Sequence, residues 1–156
     1  MRIRSLHIYP VKSFRGCDVA SVELDELGFV GDRRFLVVDE KGDFLTQRTV
    51  PAMATVSTAL TDESLTLSAD GYGSISVPRM SDPKATLLPV TVWRDSGLLA
   101  EDGGDEVAEW LTRVLAVRCR LVRIGGRFHR PVPKDAAQAG DLVSFADAAP
   151  ILITSM

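Results

Sequence analysis

Three short runs, Ala54 to Leu60 (ATVSTAL), Leu65 to Ala69 (LTLSA) and Ser74 to Val77 (SISV), are separated by Thr61-Asp62-Glu63-Ser64 and by Asp70-Gly71-Tyr72-Gly73. Apolar and small polar residues in runs this short, broken by turn residues about every ten positions, predict an antiparallel barrel or sandwich instead of βαβ units. Working outward, Arg2 to Tyr9 is rich in Ile and Leu and stops at Pro10, which has no N–H to give a ladder. Val19 to Leu24 alternates at period two, and Arg34 to Val38 with Phe44 to Thr46 reads as a hairpin across Asp39-Glu40-Lys41-Gly42-Asp43. Pro78 to Pro89 carries three prolines and predicts a surface loop, after which Val90 to Trp93, Leu98 to Ala100 and Arg118 to Ile124 resume strand character.

One segment has a different period. Val107, Ala108, Trp110, Leu111, Val114 and Leu115 follow three-and-four spacing, and Asp105, Glu106 and Glu109 place negative charge near the positive end of a helix dipole. The fold class expected is mainly β: an antiparallel β-barrel-like domain with one amphipathic helix near 105–115. Beyond Gly125-Gly126 the pattern weakens through Pro131, Pro133 and the small-residue stretch Asp135 to Gly140, which has a linker's composition. Leu142 to Phe145 and Pro150 to Thr154 then look like elements that want a core, so close to Met156 that they read as the opening of a second domain.

The chain has 156 residues, 46% of them apolar and 25% charged, with a net charge of −3. This is the composition of a folded domain with a core large enough to need neither metal nor disulfide. No global basic field attracts nucleic acid. Cys17 and Cys119 lie far apart without a Cys-x-x-Cys motif, which argues against zinc and fits free thiols in a reducing compartment. Neither a signal-peptide pattern nor a membrane-length apolar run occurs, and a cytoplasmic location is expected.

Three neighbourhoods carry candidate chemistry. In Tyr9-Pro10-Val11-Lys12-Ser13 a strand ends on a cation and a hydroxyl, a pair suited to an anion and equally ordinary in a solvated turn. In Gly31-Asp32-Arg33-Arg34-Phe35, side-chain alternation along a strand sends the two arginines to opposite faces, so only one of them can face a barrel mouth or cleft, and two surface arginines entering a strand is the plainer alternative. Gln47-Arg48 is similar and less informative. Arg118, Arg120, Arg123, Arg127 and Arg130, with His129 among them, form a basic cluster able to bind an anion or nucleic acid. Phe128 is the lone aromatic there, which is poor for base stacking, and Arg118 and Arg120 are equally placed to offset the acidic stretch Glu101 to Glu109. His7 has no acidic or nucleophilic neighbour in sequence, and Ser81-Asp82-Pro83-Lys84 matches Ser-x-x-Lys only in a proline-rich loop.

Taken together, Tyr9-Pro10-Val11-Lys12-Ser13 with Arg15-Gly16, Gly31-Asp32-Arg33-Arg34-Phe35-Leu36-Val37-Val38, and Phe44-Leu45-Thr46-Gln47-Arg48 with Pro51 resemble the N-terminal β-barrel domain of MOSC proteins. Those are the molybdenum-cofactor proteins related to sulfurases and amidoxime-reducing components. Leu65 to Ala69, Val90 to Trp93, the helix containing Trp110-Leu111, and Ser144-Phe145-Ala146-Asp147 with Pro150-Ile151-Leu152 extend the likeness. The resemblance implies residues 1–125 as the barrel domain and 126–156 as a linker and the truncated start of a C-terminal MOSC domain. It implies that Lys12, Ser13 and Arg33 contact the pterin phosphate or nearby oxygens of the molybdenum cofactor (molybdopterin), with Arg33 rather than Arg34 turned inward. It also implies a C-terminal MOSC domain as partner, a redox partner or iron–sulfur module, and an intact oxidoreductase that reduces N-hydroxylated compounds or handles sulfur. The metal-ligating cysteine of that family lies downstream, so neither Cys17 nor Cys119 is assigned to the metal and no catalytic residue is assigned here.

Two other readings compete. One is a non-enzymatic small β-barrel that binds nucleic acid or an acidic partner through its arginines. The other is a pyridoxal-phosphate or sulfur-carrier role, for which Lys12 is the single lysine to nominate as a Schiff base; the solvated turn expected around it opposes the desolvation such a lysine needs.

Overall fold

The computed structural model describes residues 3–132 and 137–154. In chain order the strands are β1 (Leu6–Ile8), β2 (Cys17–Val19), β3 (Leu24–Asp25), β4 (Gly28–Phe29) and β5 (Phe35–Val38). A short 3-10 helix, Pro51–Thr55, leads to β6 (Ser57–Leu60), β7 (Ser64–Ala69), β8 (Gly73–Pro78), β9 (Leu87–Val92) and β10 (Asp95–Asp102), then helix α1 (Asp105–Leu115) and β11 (Arg120–Arg123). The architecture is mainly β, a curled half-barrel with one helix. A four-stranded antiparallel sheet in the order β5-β11-β10-β9 and a three-stranded meander β6-β7-β8 form its body, with two-stranded ribbons β1-β2 and β3-β4 beside them.

The apolar run Phe35-Leu36-Val37-Val38 is continuous because β5 is buried on both faces. Phe35 and Val37 pack into one core with Leu65 and Leu67 of the meander and Val107, Trp110 and Leu111 of α1. Leu36 and Val38 pack into a second core with Val90, Val92, Val122 and Phe145. Residues 142–147 therefore lie on this sheet's second face: Val143 and Phe145 are fully buried, and the Phe145 N–H donates to the Arg33 carbonyl at 3.1 Å.

Helix α1 and the meander match the sequence pattern closely. The helix ends on Ala116 in the left-handed region, where glycine is usual. Four expectations shift. Ala54 and Thr55 belong to the 3-10 helix, opened by Pro51 at its first turn, so the first meander strand starts only at Ser57. The Val19 to Leu24 alternation reaches no core, none of these residues being buried, and the strand breaks after Val19. The Asp39–Asp43 turn forms, but Phe44 closes it with a single bridge to Val38, while the adjacent Asp43 bridges Thr91 of β9. Leu87 to Pro89, expected in a loop, begin β9; Pro89 is accommodated because β9 is the sheet's edge strand. Arg2 at the predicted start of the first strand, and Pro133 and Asp135 of the linker stretch, lie outside the described residues.

Candidate functional site

Residues 9–12 and 33–35 are tied side by side. Arg33 N–H donates to the Tyr9 carbonyl at 2.7 Å, Phe35 N–H to Pro10 at 3.0 Å, and Lys12 N–H to Phe35 at 3.0 Å. This places Lys12 and Arg33 at the same end of β5. Arg33 adopts φ 47° and sits in a turn, not in the strand expected of it, so strand alternation does not govern its direction. Its guanidinium pairs with Asp32 and lies over the Tyr9 ring, 5.1 Å from the centroid. Arg34 instead turns to Asp25 and the Phe29 carbonyl.

Two further segments complete the cluster. The β9–β10 turn presents Trp93, and residues 144–147 present Asp147, whose Oδ1 accepts from both Lys12 Nζ at 2.5 Å and Trp93 Nε1 at 3.1 Å. The Lys12 ammonium lies 5.7 Å from the Trp93 ring centroid and 5.9 Å from that of Phe44; the Arg48 guanidinium lies 5.1 Å from Trp93. Ser13 is half-buried, and its carbonyl accepts from Gln47 Nε2 at 2.9 Å.

Arg130 holds the 144–147 segment in shape. Its side chain is 2% exposed, and it donates to the carbonyls of Ser144 (2.8 Å), Ala146 (2.6 Å) and Asp147 (3.1 Å) and to the Asp95 carboxylate (2.7 Å). A planar fork of donors suits this task, which a lysine does not match.

Backbone strain concentrates in the same place. Of the four non-glycine residues with positive φ among those described, Ser13 (67°), Arg33 (47°) and Trp93 (56°) belong to this cluster. Such conformations cost energy and persist where surroundings enforce them, often at binding sites.

Lys12 is buried, which corrects the expectation of a solvated turn. Burial lowers its pKa below the ordinary 10.5 more than the Asp147 partner raises it, and the nearby Arg130 and Arg33 charges lower it further. For Asp147 burial pushes upward, yet the Lys12 bond and charge, the Trp93 N–H and the Arg33 charge together hold its carboxyl below the ordinary 3.8.

The arginine cluster disperses. Arg118 meets Glu40, Arg120 pairs with Asp102 and Asp105, Arg123 pairs with Glu101, and Arg130 is interior. Arg120 thus offsets the acidic stretch as expected, while Arg118 turns elsewhere. Ser81 donates to Glu101 and shares no helix with Lys84. The β1–β2 register sets His7 opposite Asp18, 2.6 Å away, with Ser5 at 2.9 Å on the other ring nitrogen, partners invisible in linear sequence. All three are solvent-exposed. Both cysteines are free; burial raises the Cys119 thiol to about 11, and Cys17 Sγ donates to the Thr58 carbonyl. No group of three or more potential metal ligands occurs among the described residues.

Residues 1–118 match the model of the MOSC N-terminal beta barrel domain. The chain belongs to that family. Across 98% of its length this MOSC domain chain is 31% identical to mouse mitochondrial amidoxime-reducing component 1, of which it spans 47%. Across 97% it is 31% identical to molybdenum cofactor sulfurase of Anopheles gambiae, of which it spans 20%. It therefore covers about half of the former relative and a fifth of the latter. A solution structure of a Bordetella bronchiseptica protein shares the fold, with a TM-score of 0.53 at 22% identity over 68% of this chain and 89% of that one. No helix among the described residues is long and apolar enough to cross a membrane.

The family motifs thus point at the geometric cluster. Sequence reasoning named Lys12, Ser13 and Arg33, and the structure gathers them at one end of β5. It missed Asp147 and Trp93 as members, set Arg48 aside as less informative and placed Arg130 in the basic cluster. Trp93, Asp147 and Arg48 all stand inside stretches that carry the family likeness, and that was the available signal.

Proposed function

We propose that this MOSC domain supplies the anion-binding wall of a molybdenum-cofactor site, with Lys12, Ser13 and Arg33 facing the pterin phosphate or nearby oxygens. The observation that carries the reading is the buried Lys12 ammonium beside the Arg33 guanidinium on strained backbone. Their chemistry fits a phosphate: a point charge, a planar fork and a hydroxyl. It does not fit a metal ligand set, so the metal's ligand belongs to a C-terminal MOSC domain. In this reading residues 1–125 are the barrel, 126–156 lead into that domain, and residues 142–147 are the seam.

When bound, the cofactor supplies two-electron redox chemistry. This chain's residues bind and orient it: Lys12 and Arg33 neutralise the phosphate, Ser13 donates to it, and Trp93 and Phe44 keep water from the ammonium. The relatives' names, amidoxime-reducing component and molybdenum cofactor sulfurase, support reading the intact protein as an oxidoreductase that reduces N-hydroxylated compounds or as a sulfur-handling protein. A redox partner or iron–sulfur module and a cytoplasmic location belong to the same proposal. The nucleic-acid reading loses its support, because Arg120, Arg123 and Arg130 spend their donors inside the molecule. Desolvation of Lys12 removes one objection to a Schiff base, but its pairing with Asp147 leaves the nitrogen occupied.

The test is to express the protein from its complete reading frame and measure co-purifying molybdenum and pterin. Lys12→Ala with Arg33→Ala should lose most of both while keeping a native unfolding transition; unchanged retention overturns the assignment.

A further inference from the structure

The two cations of the site are each paired with a carboxylate of the chain itself, and the pairs differ. Asp32 is buried, and besides Arg33 it accepts the Tyr9 N–H at 2.7 Å, so it is part of the framework. The Asp147 side chain is 74% exposed while that of Lys12 is 9% exposed. The ammonium is enclosed by the described residues; the carboxylate is not. Arg130 pins the backbone of residues 144–147, and the Phe145 N–H adds the bond to Arg33, so rotation of the Asp147 side chain needs no movement of the segment.

We propose that Asp147 is a displaceable internal carboxylate: it occupies the anion's place on Lys12 and thereby makes the site selective for dianions over monoanions. This rests on the reading of Lys12 as an anion ligand. The charge count supports it. Lys12, Arg33 and Arg130 pair with Asp147, Asp32 and Asp95, and Arg48, whose guanidinium lies over Trp93, adds a fourth positive charge; the balance is one positive charge with Asp147 in place and two when it swings out, the number a phosphate dianion neutralises. A monoanion exchanges one negative charge for another and gains little. The burial of Lys12 adds to this, since an ammonium held out of water needs a negative partner at all times.

Trp93 provides the readout, because its indole N–H donates to the same Oδ1 and must lose that acceptor when Asp147 leaves. Trp110, whose indole N–H donates to the Tyr72 carbonyl, is an internal reference. The experiment titrates cofactor-free full-length protein with inorganic phosphate at pH 8 and with nitrate, following the two indole N–H signals and the Lys12 ammonium by NMR. Phosphate should shift Trp93 and Lys12 and leave Trp110 in place. Asp147→Asn should bind phosphate about tenfold more tightly, the coupling expected on removing one competing charge, and should gain more for nitrate. Asp147→Glu should restore the discrimination. Phosphate binding that leaves the Trp93 signal unmoved in wild type, or weaker phosphate binding by Asp147→Asn, overturns the proposal while Lys12 remains an anion ligand. Undiminished phosphate binding by Lys12→Ala and by Arg33→Ala instead overturns the reading beneath it, and the proposal with it.

Discussion

Glu101 with Arg123 and Lys12 with Asp147 are both ion pairs built around a buried member, yet they are finished differently. Glu101 and Arg123 face each other across the β10–β11 ladder with side chains 3% and 10% exposed. Glu101 also accepts from Ser81 Oγ at 2.5 Å and the Asp82 N–H at 3.1 Å, and Arg123 donates to the Pro78 carbonyl at 2.9 Å. That pair is closed and saturated. The Lys12–Asp147 pair keeps its cation in and its carboxylate out. Saturation on both sides marks a pair that stabilises the fold, whereas one-sided burial marks a pair able to change partners.

The contrast predicts unequal costs. Glu101→Ala leaves Arg123 buried without its counter-charge and should lose about 3–5 kcal/mol in urea unfolding. Asp147→Asn also takes the counter-charge from a buried cation, but the exposed amide still offers an oxygen to Lys12 Nζ, so it should cost less, about 1–3 kcal/mol. Equal costs would break the distinction. Next in size, Gly125→Ala sets a Cβ 1.9 Å from Glu101 Oε1, and it should cost about 1–3 kcal/mol by overpacking the closed pair.

A smaller effect appears in pH dependence. Burial pushes the Glu101 carboxyl upward, but the Ser81 and Arg123 bonds and the Asp82 N–H outweigh it and hold it below the ordinary 4.5. A carboxyl depressed in the folded state stabilises above its unfolded value and loses that contribution as pH falls through the folded one. Glu101→Gln should therefore flatten the acid limb of the stability profile below pH 4.5. Asp147→Asn should flatten it below 3.8, and less so because its side chain is exposed. Smallest of all, Arg118→Ala should leave urea unfolding unchanged within about 0.5 kcal/mol, since its pair with Glu40 is exposed on both sides.

What could be read in the sequence follows the range of the interactions. Helix α1 and the β6–β8 meander are set by local periodicity and short turns, and both were legible. The first half of β9 was not, because Pro89 signals a loop unless its strand is known to be an edge. Lys12 and Arg33 were legible through motifs close together in the chain. Their partners were not: Asp147 lies 135 positions from Lys12 and Trp93 lies 54 from Asp147. Arg130 looked like one more member of a surface cluster, since nothing local distinguishes an arginine that will cap three carbonyls from one that will meet water.

The double burial of β5 bears on how the molecule is made. Its antiparallel partner β11 emerges from synthesis about eighty residues later, with Arg120 opposite Val38. Until then Phe35 to Val38 form an apolar strand with an unmatched edge, and closing so distant a pairing is slow. The nascent chain should accordingly be most prone to self-association, and most dependent on chaperones, in the interval between the two strands; the cluster around Lys12 and Asp147 takes shape only after it.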